Sequence, residues 1–187
     1  KNTGLGQGAG AATEHGFENT FVGFKAGYDN NRTNETDNAY RNTYLGGYAG
    51  YTNREGYENV VIGYNADFED TGGGTGSDTE RNIGNVLIGA HADIQDAYNE
   101  TYGAADYSVG IGYAADIDGN KAIGIGTYVE ANADNIIAMG YYNQVAADDV
   151  VSLGHLGEVT NKSQYSIGVG REVYINGPES VALGYKA

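Results

Sequence analysis

Aliphatic residues recur directly before a glycine along the whole chain. We call these eleven glycines anchor glycines and number each as position 0; they are Gly6, Gly23, Gly46, Gly63, Gly89, Gly112, Gly126, Gly140, Gly154, Gly170 and Gly184. Positions −3 and −1 carry Thr or apolar residues, position +3 is mostly small, and position +5 is mostly apolar. Because side chains two residues apart share one face of a strand, each unit is predicted to form two short strands with a bend at the anchor.

The spacing of the anchors divides the chain into two regions. From Gly112 onward the anchors are 14 residues apart, apart from one gap of 16 after Gly154, whereas the earlier gaps are 17, 23, 17, 26 and 23. Repeats of this length that each form two short strands predict a parallel β-solenoid, with equivalent residues stacked at about 4.8 Å. Residues 1–105 are then repeats with loop insertions and residues 106–187 are regular 14-residue repeats, in one continuous all-β rod.

The size of the residue at position −2 predicts lateral association. We expect the aliphatic residues at −3 and −1 to face inward, together with +3 and +5, so that position −2 faces outward. A solvated strand face usually carries Thr, Lys or Glu, but in the second region this position is small. The candidate subunit-packing residues are therefore Gly110, Gly124, Ala138, Ser152, Gly168 and Ala182.

Two short motifs resemble ligand loops when they are taken alone. Gly110-x-Gly112-x-x-Ala115 has the spacing of a phosphate-binding turn, but no helix-forming segment follows it. The segment 116–120 (DIDGN) begins like a calcium loop, but Lys121 stands where that loop requires glycine. Both are interpreted as repeat turns. We predict no cofactor, although incidental Ca²⁺ remains open at the acidic residues of position +4, which are Asp67, Asp93, Asp116, Glu130 and Glu158.

Aromatic side chains cluster at positions +1 and +2. A Tyr ring offers a flat apolar face and a polar tip, which suits contacts with sugars or proteins. The candidate ligand-contact residues are Tyr64, Tyr113, Tyr128, Tyr141, Tyr142, His155 and Tyr185. The alternative is that these rings pack between subunits or against neighbouring coils. The insertions at 28–41, 69–84 and 95–107 are further candidates for ligand contact, because binding commonly lies on loops held by a rigid scaffold.

Position −4 carries a second kind of side chain in the first region. Asn2, Asn19, Asn42, Asn59 and Asn85 share this position. Stacked Asn side chains form hydrogen bonds along a solenoid, so the column is predicted to be structural.

Charge and composition narrow the classes of partner. The formal net charge is −15, with 31 Gly, one Pro and no Cys. An acidic surface of this kind repels phosphates, so binding to nucleic acid or to anionic membranes is not expected. No apolar run in the sequence is long enough for this segment to insert into a membrane. His15, His91 and His155 lie at unrelated positions, so no catalytic cluster is evident and the chain is predicted not to be an enzyme.

Two repeat sequences carry a family resemblance. Residues 108–115 (SVGIGYAA) and 180–187 (SVALGYKA) resemble the "S-V-A-I-G-x-x-A" repeat of YadA-like head domains in trimeric autotransporter adhesins. Residues 19–27 (NTFVGFKAG) and 42–50 (NTYLGGYAG) are similar to the "N-T-x-x-G-x-x-A-G" repeats of phage and bacterial tail-fibre-type proteins. Together the resemblance covers nearly the whole chain, and the longer gaps between anchors depart from it.

The resemblance implies a homotrimer of parallel, left-handed β-rolls. The general preference for right-handed crossovers predicts the opposite hand, so handedness depends on the resemblance alone. It also implies an extracellular place, on a bacterial cell surface or a virion fibre, and attachment to a host-surface glycan or protein. The alternative is a structural spacer or filament-forming segment with its binding tip elsewhere.

Overall fold

The chain is a β-solenoid in which each coil lies parallel to the next. The computed structural model describes residues 1–30, 39–53, 56–69, 82–95 and 105–187. The strands, in chain order, are β1 (Thr3–Leu5), β2 (Thr20–Val22), β3 (Thr43–Leu45), β4 (Val60–Ile62), β5 (Asp67–Glu69), β6 (Val86–Ile88), β7 (Asp93–Gln95), β8 (Val109–Ile111), β9 (Asp116–Ile117), β10 (Ile123–Thr127), β11 (Glu130–Ala131), β12 (Ile137–Tyr141), β13 (Gln144–Val145), β14 (Val151–His155), β15 (Glu158–Val159), β16 (Ile167–Arg171), β17 (Tyr174–Ile175) and β18 (Val181–Tyr185).

These strands form two parallel sheets that run along the rod. The long sheet has eleven strands in the order β1-β2-β3-β4-β6-β8-β10-β12-β14-β16-β18, and the short sheet has seven in the order β17-β15-β13-β11-β9-β7-β5. Every pair is in register with the repeat, so Ile123 pairs with Ile137 and Ile137 with Val151. The predicted parallel β-solenoid is thereby confirmed. The described residues form strands and turns and no helix.

Within the described residues, no helix is long and apolar enough to cross a membrane.

The predicted inward direction of positions +3 and +5 is confirmed from the coil anchored at Gly63 to that anchored at Gly170, whereas Tyr28 and Tyr51, at position +5 of earlier coils, are partly exposed and stack at 5.2 Å. Ala115 and Ile117 are fully buried, as are their counterparts Ala92 and Ile94 one coil earlier. The buried apolar side chains at these positions belong to one core cluster along the rod.

The other half of the facing prediction is wrong, because position −2 lies inside the coil and positions −3 and −1 lie outside. Within β10, Gly124 is buried, while Ile123 and Ile125 are partly exposed. The predicted subunit-packing residues therefore pack against their own chain, Ala182 partly and the others fully; they are Gly110, Gly124, Ala138, Ser152, Gly168 and Ala182.

The physical reason for this inversion is the narrow interior of the coil. A Cβ added at Gly124 would overlap Cδ1 of Ile117, and one at Gly168 would lie 3.2 Å from Cδ1 of Ile175. Small residues at −2 thus make room for large side chains at +5 from the opposite sheet. The small residues at position −2, which suggested a contact between subunits, therefore reflect close packing between the two sheets of one chain.

The anchor glycines are required by the stacking of the coils. Gly140 has φ +136°, and a Cβ there would overlap the carbonyl oxygen of Gly154 in the next coil. A residue with a side chain would meet both a strained backbone and the neighbouring main chain. The predicted bend lies at the anchor in coils such as those of Gly23 and Gly112, whereas β12 (Ile137–Tyr141) continues through Gly140 and the chain bends at Tyr142, at position +2.

Two corners of the coils use left-handed backbone conformations, mostly at residues other than glycine. Position +2 has a positive φ in successive coils, as at Ala114 (49°), Tyr128 (52°) and Leu156 (56°). Position −5 does the same, as at Lys121 (54°) and Asn135 (57°). The regular recurrence of this conformation holds the side chains at +1 and +2 in fixed rows along one edge of the rod.

The asparagine column forms the predicted hydrogen-bonded ladder. The backbone N–H of Asn42 donates to Oδ1 of Asn19 at 2.8 Å, and that of Asn59 donates to Oδ1 of Asn42 at 3.0 Å. Asn85 continues the series by accepting from the N–H of Ser108 at 2.8 Å. The side chains at these positions are buried from Asn19 onward, so the ladder satisfies backbone groups that have no access to water.

Candidate functional site

A continuous row of aromatic rings follows the corner at positions +1 and +2. We call this row the aromatic ladder; it comprises Phe24, Tyr48, Tyr64, His91, Tyr113, Tyr128, Tyr142, Tyr141 and His155. Neighbouring ring centroids lie between 4.6 Å (Tyr141–Tyr142) and 6.2 Å (Tyr48–Tyr64) apart. Such distances are those of stacked and edge-to-face aromatic pairs, so the rings stabilise one another.

The ladder brings together six of the seven sequence-predicted contact residues. Tyr64, Tyr113, Tyr128, Tyr141, Tyr142 and His155 all belong to it. The seventh, Tyr185, contacts cations instead, with the guanidinium of Arg171 at 5.7 Å and Nζ of Lys186 at 5.3 Å from its ring centroid. The ring faces remain available, since Tyr64 is 58% and Tyr113 47% exposed.

Three members of the ladder were missed as candidates. Tyr48 and His91 occupy position +2, next to Tyr64 and Tyr113 at position +1 of neighbouring coils. The signal that identifies them is the left-handed corner, which places a +2 residue of one coil beside a +1 residue of the next. Phe24 begins the row through its contact with Tyr48 at 5.3 Å.

A cavity of about 290 Å³ opens beside the ladder. His91, Tyr128 and Tyr142 border it from the corner, and the short sheet supplies its acidic wall; the remaining lining residues are Asp93, Ala114, Asp116 and Glu130. Ala114 is a small residue at position +2, between His91 and Tyr128 of the neighbouring coils. Its methyl side chain leaves the space that a larger residue would fill.

The acidic wall is part of a column at position +4. The strand register pairs Asp67 with Asp93, Asp93 with Asp116, and Asp116 with Glu130. Glu130 also accepts a hydrogen bond from Nε2 of Gln144 at 2.8 Å. Consecutive parallel strands thus stack carboxylates along the outer face of the short sheet, beside the aromatic ladder.

One carboxyl of this column has a shifted pKa. Burial raises the pKa of Asp67 to about 7, and the nearby charge of Asp93 acts in the same direction. The backbone N–H of Thr52 donates to Oδ1 of Asp67 at 3.1 Å, which favours the charged form and opposes the shift. The protonation state of Asp67 therefore changes near neutral pH.

The column shows no arrangement for a metal ion. In the parts of the chain that the structure describes, no group of three or more His, Asp or Glu side chains is placed to hold one. Incidental Ca²⁺ at this column stays a prediction.

A second candidate surface is the outer face of the long sheet, which we call the aliphatic stripe. It consists of the residues at positions −3 and −1, such as Val151 and Leu153 of β14 and Ile167 and Val169 of β16. Ile167 is 44% exposed, and Leu45, near the other end, is 45% exposed. Apolar side chains in register on a sheet face are an unusual surface for a lone solenoid, because continuous apolar patches mark contact sites.

Most of each insertion that was predicted to contact a ligand lies outside the residues that the structure describes. Of the insertions 28–41, 69–84 and 95–107, residues 31–38, 70–81 and 96–104 lie outside the described residues. Their role in ligand contact stays a prediction.

Comparisons with protein-family models, with curated proteins and with solved structures find no match for this chain. The resemblance to adhesin and tail-fibre repeats is therefore carried by the repeat residues alone.

Proposed function

We propose that this chain is a non-enzymatic fibre module of a surface adhesin or phage tail fibre, which attaches to a glycan or protein on a host surface. The aromatic ladder is the observation that carries the proposal. It sets exposed rings along one edge of a solenoid whose coils are fixed by sheet hydrogen bonds, so ligand contacts would need little ordering on binding. Tyr rings held in this way resemble the contact residues of other binding surfaces.

We further propose that the module acts as a homotrimer of left-handed rolls, displayed outside the cell or on a virion. The aliphatic stripe supports the association. Residues such as Ile167 and Val169 lie on the outer face of the long sheet and leave apolar area in water, which packing against two further copies would remove. The small residues at position −2 play no part in this contact, because they lie inside the coil.

The alternative function is a structural spacer or filament segment. The contacts among the rings favour it, since stacked pairs such as Tyr128–Tyr142, at 4.7 Å, stabilise neighbouring coils without any ligand. The two functions differ in whether the exposed faces of the ladder contact anything beyond the chain.

Attachment of the labelled chain to glycan arrays, matrix proteins and intact bacterial or animal cells tests the choice. We expect Tyr64→Ala with Tyr113→Ala to lower attachment at least about tenfold, a loss of about 1.4 kcal/mol. Tyr57→Ala is the matched control, because Tyr57 stacks on Tyr40 at 4.6 Å, outside the ladder. Equal attachment of the ladder variant and the wild type would contradict adhesion through this surface and favour the spacer.

A further inference from the structure

The cavity beside the ladder has a defined structural origin. Along position +2 the corner keeps the same backbone conformation, with φ 55° at His91, 49° at Ala114 and 52° at Tyr128. Only the side chain changes, so the gap between two large rings results from the methyl group of Ala114. The cavity has the volume of a small ligand site, about 290 Å³, and spans four successive coils.

The polar groups around this cavity are mainly hydrogen-bond acceptors. Asp93, Asp116 and Glu130 line one side, and no Lys or Arg is among the described residues that line it. Ionised carboxylates accept hydrogen bonds and do not donate them. The complementary ligand is therefore rich in donors and positively charged, and an anionic ligand would be repelled by the three carboxylates.

The aromatic side of the cavity adds a second requirement. Tyr128 and Tyr142 stack at 4.7 Å between centroids, with an interplanar angle of 22°. A pair fixed in this way presents ring surface that packs against the C–H face of a sugar, and it attracts a nearby cation through the negative face of each ring. A bare metal ion would leave this apolar surface without a partner.

We propose that the cavity binds one amino-sugar unit that carries a free, protonated amine. Its ammonium group would lie at the acidic wall that Asp93, Asp116 and Glu130 form along one side of the cavity. The C–H face of its ring would pack on Tyr128. This inference names the ligand class of the attachment surface and so rests on the proposed function.

Binding of glucosamine to the complete chain tests the ligand class. In a titration followed by calorimetry or NMR, we expect glucosamine to bind and N-acetylglucosamine, which has a neutral amide in place of the amine, to bind at least about tenfold more weakly. Glucose and choline serve as controls for the ring without the amine and for a cation without the ring. The proposal would be overturned by no glucosamine binding, or by equal binding of any of the three.

Variants of the chain test the location. Ala114→Leu fills the cavity, and Leu156 already occupies the same corner position with φ 56°. Glu130→Gln removes one charge, and Gln144 stands at the equivalent position one coil later. We expect each change to weaken glucosamine binding at least about tenfold, with unchanged circular dichroism. Should Ala114→Leu fail to fold, Glu130→Gln still decides the question.

The matched control is Glu158→Gln. Glu158 lies in the same acidic column, pairs with Gln144, and is not among the residues that line the cavity. It should bind glucosamine like the wild type, and a similar loss in this variant would indicate general attraction of cations and overturn the proposed site.

Cell attachment separates this inference from the proposed function. We expect glucosamine to compete with attachment of the wild-type chain. If Tyr64→Ala with Tyr113→Ala abolishes attachment while glucosamine neither binds nor competes, the amino-sugar site is wrong and adhesion stands. If glucosamine binds but the ladder variant attaches like the wild type, adhesion through the ladder is wrong and the site stands.

Discussion

The coils near the N-terminus and those of the second region fill the same narrow interior from opposite sides. In the coils anchored at Gly23 and Gly46, position −2 carries Phe21 and Tyr44, whose rings lie where a Cβ on Gly27 or Gly50 would be. In the second region position −2 is Gly124, and the space belongs to Ile117 from the short sheet. The large side chain that fills the interior therefore comes from the long sheet in the first case and from the short sheet in the second.

The two regions also differ in how they satisfy the backbone at position −4. The first region uses the asparagine ladder, in which each Oδ1 accepts the N–H of the next coil, as Asn59 does for Asn85 at 2.9 Å. In the second region the same position is mixed: Ala122 and Ile136 are apolar and fully buried, whereas Oγ of Ser166 accepts the N–H of Ser180 at 3.0 Å. Asparagine, serine and apolar side chains at position −4 thus support the same parallel register.

Removing the aromatic filling of the first region should have the largest effect. Tyr44→Ala would empty a site in which the ring is fully buried and its hydroxyl accepts from Nδ2 of Asn53. We expect a loss of about 4 kcal/mol in the free energy of unfolding, measured in urea. Tyr165→Ala, at a ring that is 67% exposed, should cost less than about 0.5 kcal/mol. Similar losses in both variants would contradict the assignment of position −2 to the interior.

Adding volume to the second region should have the next largest effect. Gly124→Val places a side chain against Ile117 at a glycine that does not need a left-handed backbone, so the cost is steric. We expect about 3 kcal/mol of destabilisation. Adding Ile117→Ala should recover part of it, because the two side chains compete for one space. Strictly additive losses in the double variant would show that they do not share it.

Breaking the asparagine ladder should cost about 2 kcal/mol. Asn59→Ala leaves the buried N–H of Asn85 without its acceptor and removes the donation from Nδ2 to the carbonyl of Asn82. Asn59→Ser is the control, because Ser108 occupies this position and its Oγ accepts the N–H of Ala122 at 3.1 Å. Unfolding in urea should show a smaller loss for Ser than for Ala, and equal losses would argue against a role for the acceptor.

The smallest expected effect is a pH dependence that arises where the short sheet begins. Because burial raises the pKa of Asp67 to about 7, above its usual 3.8, the folded state holds this proton more tightly than the unfolded chain. Stability from this group is therefore greatest at low pH and falls as pH rises through about 7. We expect Asp67→Asn to reduce the difference in melting temperature between pH 6 and pH 8. An unchanged difference would contradict the shifted pKa.

The sequence predicted the register between successive coils, but it did not predict which side chains of the long sheet point into the interior. The anchors set the register, and Ala115 and Ile117 were assigned inward because small and apolar residues alternate there. Gly124 was assigned outward because a glycine carries no side chain to show its direction, and its aliphatic neighbours resembled a core. The side chains of the short sheet, which lie in another part of the repeat, determine which face of the long-sheet strand fits into the narrow interior.

The candidate site was predictable in part for a similar reason. Tyr113 and Tyr141 were found because they share position +1, while His91 needed the geometry of the corner. The cavity at Ala114 depends on rings from three other coils. A small residue such as Ala114 does not reveal a cavity in the sequence, because the rings that border the cavity come from other coils.

The mass of the protein in solution tests most directly whether the aliphatic stripe faces outward and joins three chains. Light scattering should give about three times the 19.7 kDa chain mass. Val169→Glu, on the stripe, should reduce it to the monomer with unchanged circular dichroism, whereas Tyr174→Glu, on the short sheet beside Glu158, should leave it unchanged. A wild-type monomer, or a trimer that Val169→Glu does not disturb, would contradict an outward apolar stripe that joins three chains.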